Sequence, residues 1–386
     1  MKGLVLEGGG AKGAFHVGVL KALLERGYVF NGVAGTSIGA INGALLAQGD
    51  YDALYELWYS ATPSLLFDFD ENMVNRILEN DLDKNVYKYI FHTARALLAT
   101  KGVSMEKAKD LLDRLVDEDR LRKSDVDFCL VTVAKGDEWF PMEMFKSDIP
   151  NGEIKDYILT SAYLPIFNRE KVGGKMFVDG GMYDNCPINP LINKGYDEII
   201  AIRTGARMPS QKVIDRSVKV SYIDPSEPLG KLLDFRTEKI RYNIKLGYFD
   251  GLRYLDKHLG VRYYVERPSY KDFINFVENL SYNTFISWAE ILDIKGTKQS
   301  IFSKLIEVVT EELGLAWNLS KEDVFIAMME EFAMEFGLEK FKIYKLEEFF
   351  AELKNIWQEN VITKHNKAFS LANAVVQNLK RPYGRT

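Results

Sequence analysis

At 386 residues the chain exceeds what one hydrophobic core usually serves, and 47% hydrophobic with 27% charged residues is a globular composition that excludes disorder. Its formal net charge of -5 excludes a general nucleic-acid binder, since no basic excess is available to neutralise phosphates, but leaves room for peripheral contact with a membrane through a local patch. Cys129 and Cys186 are too few for a disulfide framework and nothing beside them has zinc-ligand spacing, so neither a metal nor a cofactor is expected.

The predicted elements begin with two strand–turn–helix units. Residues 3–6 form a short apolar run suited to a buried parallel strand, followed by a glycine cluster and a helix over 14–24 that Gly27 closes. Residues 32–36 are the second strand, Ser37 the turn, and 38–47 a helix whose Gly39, Ala40, Gly43 and Ala44 permit close approach of its neighbours. The apolar run after Lys2 is too short for a signal peptide, and no later stretch reaches transmembrane length, so a cytoplasmic location is expected. Residues 63–123 are helical and more polar. Strands return at 128–134, at 139–145 with Pro141 marking an edge, before Asp179, and at 198–203 and 218–223; a helix spans 154–162. Strands alternating with helices imply a mainly parallel sheet covered on both faces. From about residue 259 the period becomes helical, with apolar stripes at Phe302, Leu305, Ile306, Val309, at Phe325, Met328, Met329, Phe332, and at Leu346, Phe349, Phe350, Leu353. An α/β domain over 1–258 and a helical subdomain over 259–386, without a flexible linker between them, are therefore expected.

Three motifs carry chemistry. GTSIG at 35–39 fits the G-x-S-x-G elbow, in which a strained strand-to-helix turn exposes the Ser37 hydroxyl at the positive end of a helix. The loop Gly8-Gly9-Gly10-Ala11-Lys12-Gly13 leaves backbone N–H groups free to converge on an anion, either a phosphate or the oxyanion of acyl transfer. It also satisfies G-x-G-x-x-G, but the second strand ends in Gly35-Thr36-Ser37 without the acid that a dinucleotide site needs, and Ala14 and Phe15 stand where a P-loop has Lys and Ser or Thr. A nucleophile at the next strand end favours the oxyanion. Asp179-Gly180-Gly181 places a carboxylate after an apolar strand; by itself an Asp-Gly turn is the more frequent use of that dipeptide. None of the four histidines, His16, His92, His258 and His365, occupies a loop after a strand, where a triad histidine belongs.

Together GGGAKG at 8–13, GTSIG, DGG at 179–181, SAYLPIF at 161–167 and Asn185-Cys186-Pro187 resemble the patatin-like phospholipase family over about residues 1–258. The resemblance implies a three-layer α/β/α fold and hydrolysis of a lipid acyl ester by a Ser37–Asp179 dyad. Gly8, Gly9 and Gly10 would form the oxyanion hole, supported by Lys12 and Gly13, without a metal. Of these, the N–H groups of Gly9 and Gly10 are the expected donors, and Lys12 steadies the loop or attracts an anionic headgroup. Nothing carries over to the C-terminal third. Residues 86–98 combine aromatics with Lys88 and Arg95 and suit either a lid or a core-facing helix. Two alternatives stand beside the hydrolase: a regulated lipase effector controlled by its C-terminal helices, and a non-hydrolytic nucleotide or phosphate binder.

Overall fold

The computed structural model describes residues 1–62, 104–164, 167, 171–357 and 366–379. Segment 86–98, His92, His365 and the Pro165-Ile166 pair lie outside the described residues. The chain divides into two compact units, Met1–Gly251 and Leu252–Thr386.

The first unit is built on a seven-stranded sheet. Its strands are β1 (Lys2–Leu6), β2 (Gly32–Thr36), β3 (Asp127–Lys135), β4 (Trp139–Phe145), β5 (Met176–Asp179), β6 (Glu198–Ile202) and β7 (Lys219–Ile223). The order is β4-β3-β2-β1-β6-β7, with β5 also paired to β3. Every pairing along β3-β2-β1-β6-β7 is parallel, whereas β4 and β5 run antiparallel to β3. Pro141 falls in the edge strand β4, where a missing ladder donor is tolerated.

Both faces of the sheet are covered. Helix α1 (Ala14–Glu25) is buried along nearly its whole length, and α2 (Ile38–Ala47) lies over one face. There Gly43 comes so close that an added Cβ would sit 3.1 Å from Val33 and 3.8 Å from Leu6. On the other face Val5, Ala34, Cys129 and Ala201 pack against Cys186, Ile188 and Leu191, the last on the short helix Asn189–Asn193. The alternation of side chains along each strand thus gives two apolar layers, the three-layer α/β/α arrangement expected from the sequence.

The second unit is helical around its own core. Its helices span Tyr270–Glu278, Tyr282–Leu292, Lys298–Glu312, Lys321–Glu335, Leu346–Ile356 and Lys367–Asn378. Ser269, Ser281, Thr297, Ser320 and Asn366 each cap a helix by accepting the N–H three residues on, satisfying a donor the helix cannot. The stripes at Phe325, Met328, Met329, Phe332 and at Leu346, Phe349, Phe350, Leu353 are buried, as the helical period required; in the first stripe Ile306 is only partly so.

Candidate active site

Register on β3 brings two strand ends together. β2 covers β3 from Asp127 to Val131 and stops at the pair Thr36–Val131. β4 occupies the opposite edge of β3 from Cys129 to Lys135. β5 therefore takes the edge that β2 vacates, pairing Met176 with Lys135 and ending at Asp179–Thr132. Ser37, one step beyond β2, and Asp179, the last residue of β5, arrive from opposite directions at neighbouring positions.

Ser37 has φ 56° and ψ -125°, a conformation that costs a non-glycine residue about 1–3 kcal/mol. Its flanking glycines are steric necessities: a Cβ on Gly35 would stand 2.2 Å from Gly39 O, and one on Gly39 would stand 2.1 Å from Leu6 O. The turn leads straight into α2, so the positive end of that helix lies at the serine.

Asp179 is only 2% exposed. Its Oδ1 accepts the Gly181 N–H at 2.7 Å, and its Oδ2 has no hydrogen-bond partner. Burial pushes the carboxyl up to about 6; the nearby Ser37 hydroxyl and the Gly181 N–H work against that rise. A desolvated carboxylate oxygen without a partner is a group prepared to take a proton.

The glycine loop lies beside this pair. Gly10 has φ 56°, and its N–H, like that of Gly9 and of Ile38 at the start of α2, makes no hydrogen bond among the described residues. Gly8, the remaining member of the expected oxyanion hole, shapes the loop and does not donate into it. Its N–H donates to Asn185 O at 3.0 Å, while Asn185 Nδ2 donates to Gly8 O at 3.3 Å, so Gly8 is clasped by Asn185 and has no donor to spare. The loop is pinned further by the Thr204 hydroxyl, which donates to Gly8 O at 2.6 Å, and by the Ala11 N–H, which donates to Leu232 O at 2.8 Å. Glu7 accepts the N–H groups of Thr204 and Gly205, and burial raises its carboxyl above the ordinary value. Burial also lowers the half-buried Lys12 ammonium; Glu7 opposes this and Arg207 adds to it. A Cβ on Gly13 would meet Ile38 at 2.8 Å. Gly10→Ala should cost more than the roughly 1–2 kcal/mol of a left-handed backbone, because the new Cβ would sit 2.2 Å from Leu232 O. A thermal midpoint equal to wild type would contradict this packing.

Neither described histidine is placed as a proton shuttle. His16 is wholly buried and held neutral, its imidazole pushed down to about 3 by burial, and its Nδ1 lies 3.3 Å from Asn42 Nδ2. Asn42 in turn donates to Gly13 O and accepts the Trp58 indole N–H at 2.9 Å. His258 belongs to the second unit, beside Asp256 at 3.6 Å.

Ser37 lines a cavity whose other lining residues among those described are all apolar. Ile41 and Leu45 of α2 form one wall, Leu112 and Leu115 another, and Trp58 stacked on Phe235 a third. No local pattern signals this cavity, since its walls come from segments far apart in the chain. Asn185 and Ser161 also went unassigned beyond their motifs, although both touch the site.

The strained Ser37, the buried Asp179 beside it and the apolar cavity that Ser37 lines thus belong to one α/β unit with a three-layer fold. Residues 4–192 match the family model described as patatin-like phospholipase, so the N-terminal part of the chain carries a domain of that family. It is 29% identical over 208 residues to a patatin-like phospholipase domain-containing protein of Caenorhabditis elegans, covering 53% of this chain and 14% of the relative. It is 27% identical over 203 residues to an uncharacterized NTE family protein of Mycobacterium bovis, covering 52% and 48%. A lysophospholipase NTE1 of Mycosarcoma maydis is 27% identical over 216 residues, covering 53% and 10%. The match thus spans less than half the length of each of these relatives. Among the described residues no helix is long and apolar enough to cross a membrane.

Proposed function

We propose that the chain is a serine lipid acyl hydrolase in which Ser37 is the nucleophile and Asp179 its base. One observation carries the reading: the strained Ser37, which lines an apolar cavity, lies beside the buried Asp179, whose Oδ2 has no hydrogen-bond partner. Ser37 Oγ attacks the ester carbonyl carbon as its proton passes to Asp179 Oδ2. The tetrahedral oxyanion receives the free N–H groups of Gly9, Gly10 and Ile38, a kind of donor each worth about 3–4 kcal/mol when lost. Collapse expels the alcohol, which takes the proton back from Asp179. Water, deprotonated by the same carboxylate, then attacks the acyl-serine; collapse expels Ser37 Oγ, which takes the proton back from Asp179, and the fatty acid is released. The substrate's acyl chain occupies the cavity, so lipid has to be drawn from a membrane surface or a dispersed form.

The nucleotide-binding alternative leaves that cavity without an occupant. A lipase regulated through its C-terminal helices would use the same centre. Incubating the purified chain with a lipid extract and following free fatty acid and lysolipid by mass spectrometry tests the proposal. Product formation and fluorophosphonate labelling at Ser37 support it; no product and no label would overturn it.

Ala108, buried in the cavity wall, offers a test of where the chain lies. Ala108→Phe should lower kcat/KM for a long-chain acyl ester about tenfold or more, the worth of roughly two methylenes losing their site. A short-chain ester, which does not reach that wall, should stay within about threefold. Equal losses on both would place the acyl chain elsewhere.

A further inference from the structure

The stretch 161–167 has no part in the chemistry above, yet its first residue lies between the two reacting groups. Asp127 N–H donates to Asn31 O at 2.9 Å, which sets the phase of the β2–β3 ladder. With the register Asp127–Gly32 to Val131–Thr36, alternate β3 residues bond to β2, and the next bond would run from Ser37 N–H to Val131 O. The elbow at Ser37 opens that bond. Ser161 fills the gap: Ser37 N–H donates to Ser161 Oγ at 2.9 Å, and the Ser161 hydroxyl donates to Val131 O at 2.6 Å. The same residue reaches the carboxylate strand, since its carbonyl accepts the Gly180 N–H at 3.3 Å. Two residues on, Tyr163 O accepts the Asp179 N–H at 2.8 Å. Gly180 must be glycine for this, because a Cβ would stand 2.1 Å from the same Val131 O. Ser161 is fully buried, so water cannot stand in for its hydroxyl.

We propose that Ser161 is a positioning residue: its hydroxyl replaces the last ladder bond of β2, and its carbonyl holds the Asp179 turn, so that one residue fixes the distance between Ser37 and Asp179. The inference rests on the Ser37–Asp179 reading. Its mechanical sense is that a strained turn needs its N–H held, and an unheld one relaxes out of line with its base. Catalysis is sensitive to that misplacement while occupancy of the apolar cavity is not, so the effect falls on kcat.

The test compares the full-length wild type with Ser161→Ala and Ser161→Thr on a soluble short-chain ester, with parallel rates of fluorophosphonate labelling. Ser161→Ala should lower kcat by about tenfold or more and leave KM within about twofold, with labelling of Ser37 slowed by the same factor. Ser161→Thr keeps the hydroxyl and should recover most of kcat; if its extra methyl prevents folding, Ser161→Cys replaces it and should fall between wild type and alanine. A folded Ser161→Ala with kcat within about threefold of wild type would overturn the proposal, as would a loss confined to KM, or a folded threonine or cysteine variant no better than alanine. A wild type that neither hydrolyses ester nor labels at Ser37 would instead sink the hydrolase reading, and the role of Ser161 with it.

Discussion

Ser37→Ala should lower ester hydrolysis by about three orders of magnitude or more, because removing the nucleophile of a serine hydrolase leaves only what the oxyanion donors and binding supply. The fold should survive: alanine keeps the Ser37 N–H bond to Ser161 and the small size that the elbow demands. Strain gives a second readout at the same position. At φ 56° and ψ -125° both serine and alanine are held in a conformation natural to glycine. Ser37→Gly should therefore be as inactive as Ser37→Ala but more stable than it, by an amount of order 1 kcal/mol in thermal unfolding. If Ser37→Ala retains more than a few per cent of the wild-type kcat, the nucleophile lies elsewhere. If glycine proves less stable than alanine, the elbow is not strained.

Much of this centre was legible in the sequence because its parts are local. GTSIG reads as an elbow from five consecutive residues, and each strand and helix of the first two units falls where glycine and apolar spacing put it. The C-terminal stripes at Phe325 and Leu346 were equally local, a matter of period alone. Asp179 was harder. Its motif is also an ordinary turn, and only the antiparallel docking of β5 on the β3 edge beyond Val131 brings it to Ser37. No local pattern encodes that pairing. That Gly8 belongs to the loop without offering it a free donor was not legible, because the acceptor of its N–H, Asn185, is far away in the chain. The third free donor, Ile38, had a signal in its place directly after the nucleophile, where elbow enzymes commonly recruit the next N–H. Ser161 had none, since a serine spliced into a backbone ladder looks like any small buried residue until register is known.

Asp179→Asn should abolish turnover and also change how stability depends on pH, and the second effect identifies the group. The wild-type carboxyl is raised to about 6 from an ordinary 3.8, with burial the chief cause. A carboxyl raised on folding favours its protonated form in the native state. Its contribution to stability is fully present below the unfolded value and is lost as pH rises through the folded one. Asparagine cannot ionise, so the stability of Asp179→Asn relative to wild type should climb between about pH 4 and 6 and level off above, by about 3 kcal/mol in all. Any constant penalty for an amide nitrogen placed where Oδ2 has no partner cancels when the two proteins are compared across pH. Activity should follow the same proton. As a base Asp179 works only when ionised, so wild-type kcat/KM on a neutral ester should rise about tenfold per pH unit up to pH 6 and be flat above. An acid limb near 6 would by itself also suit a histidine. The described His16 is held neutral down to about 3 and cannot produce it. Matching midpoints in the activity profile and in the stability difference would tie both to Asp179. An acid limb near 6 together with a stability difference that does not vary with pH would separate the catalytic base from this carboxylate and return Asp179 to the role of a turn residue.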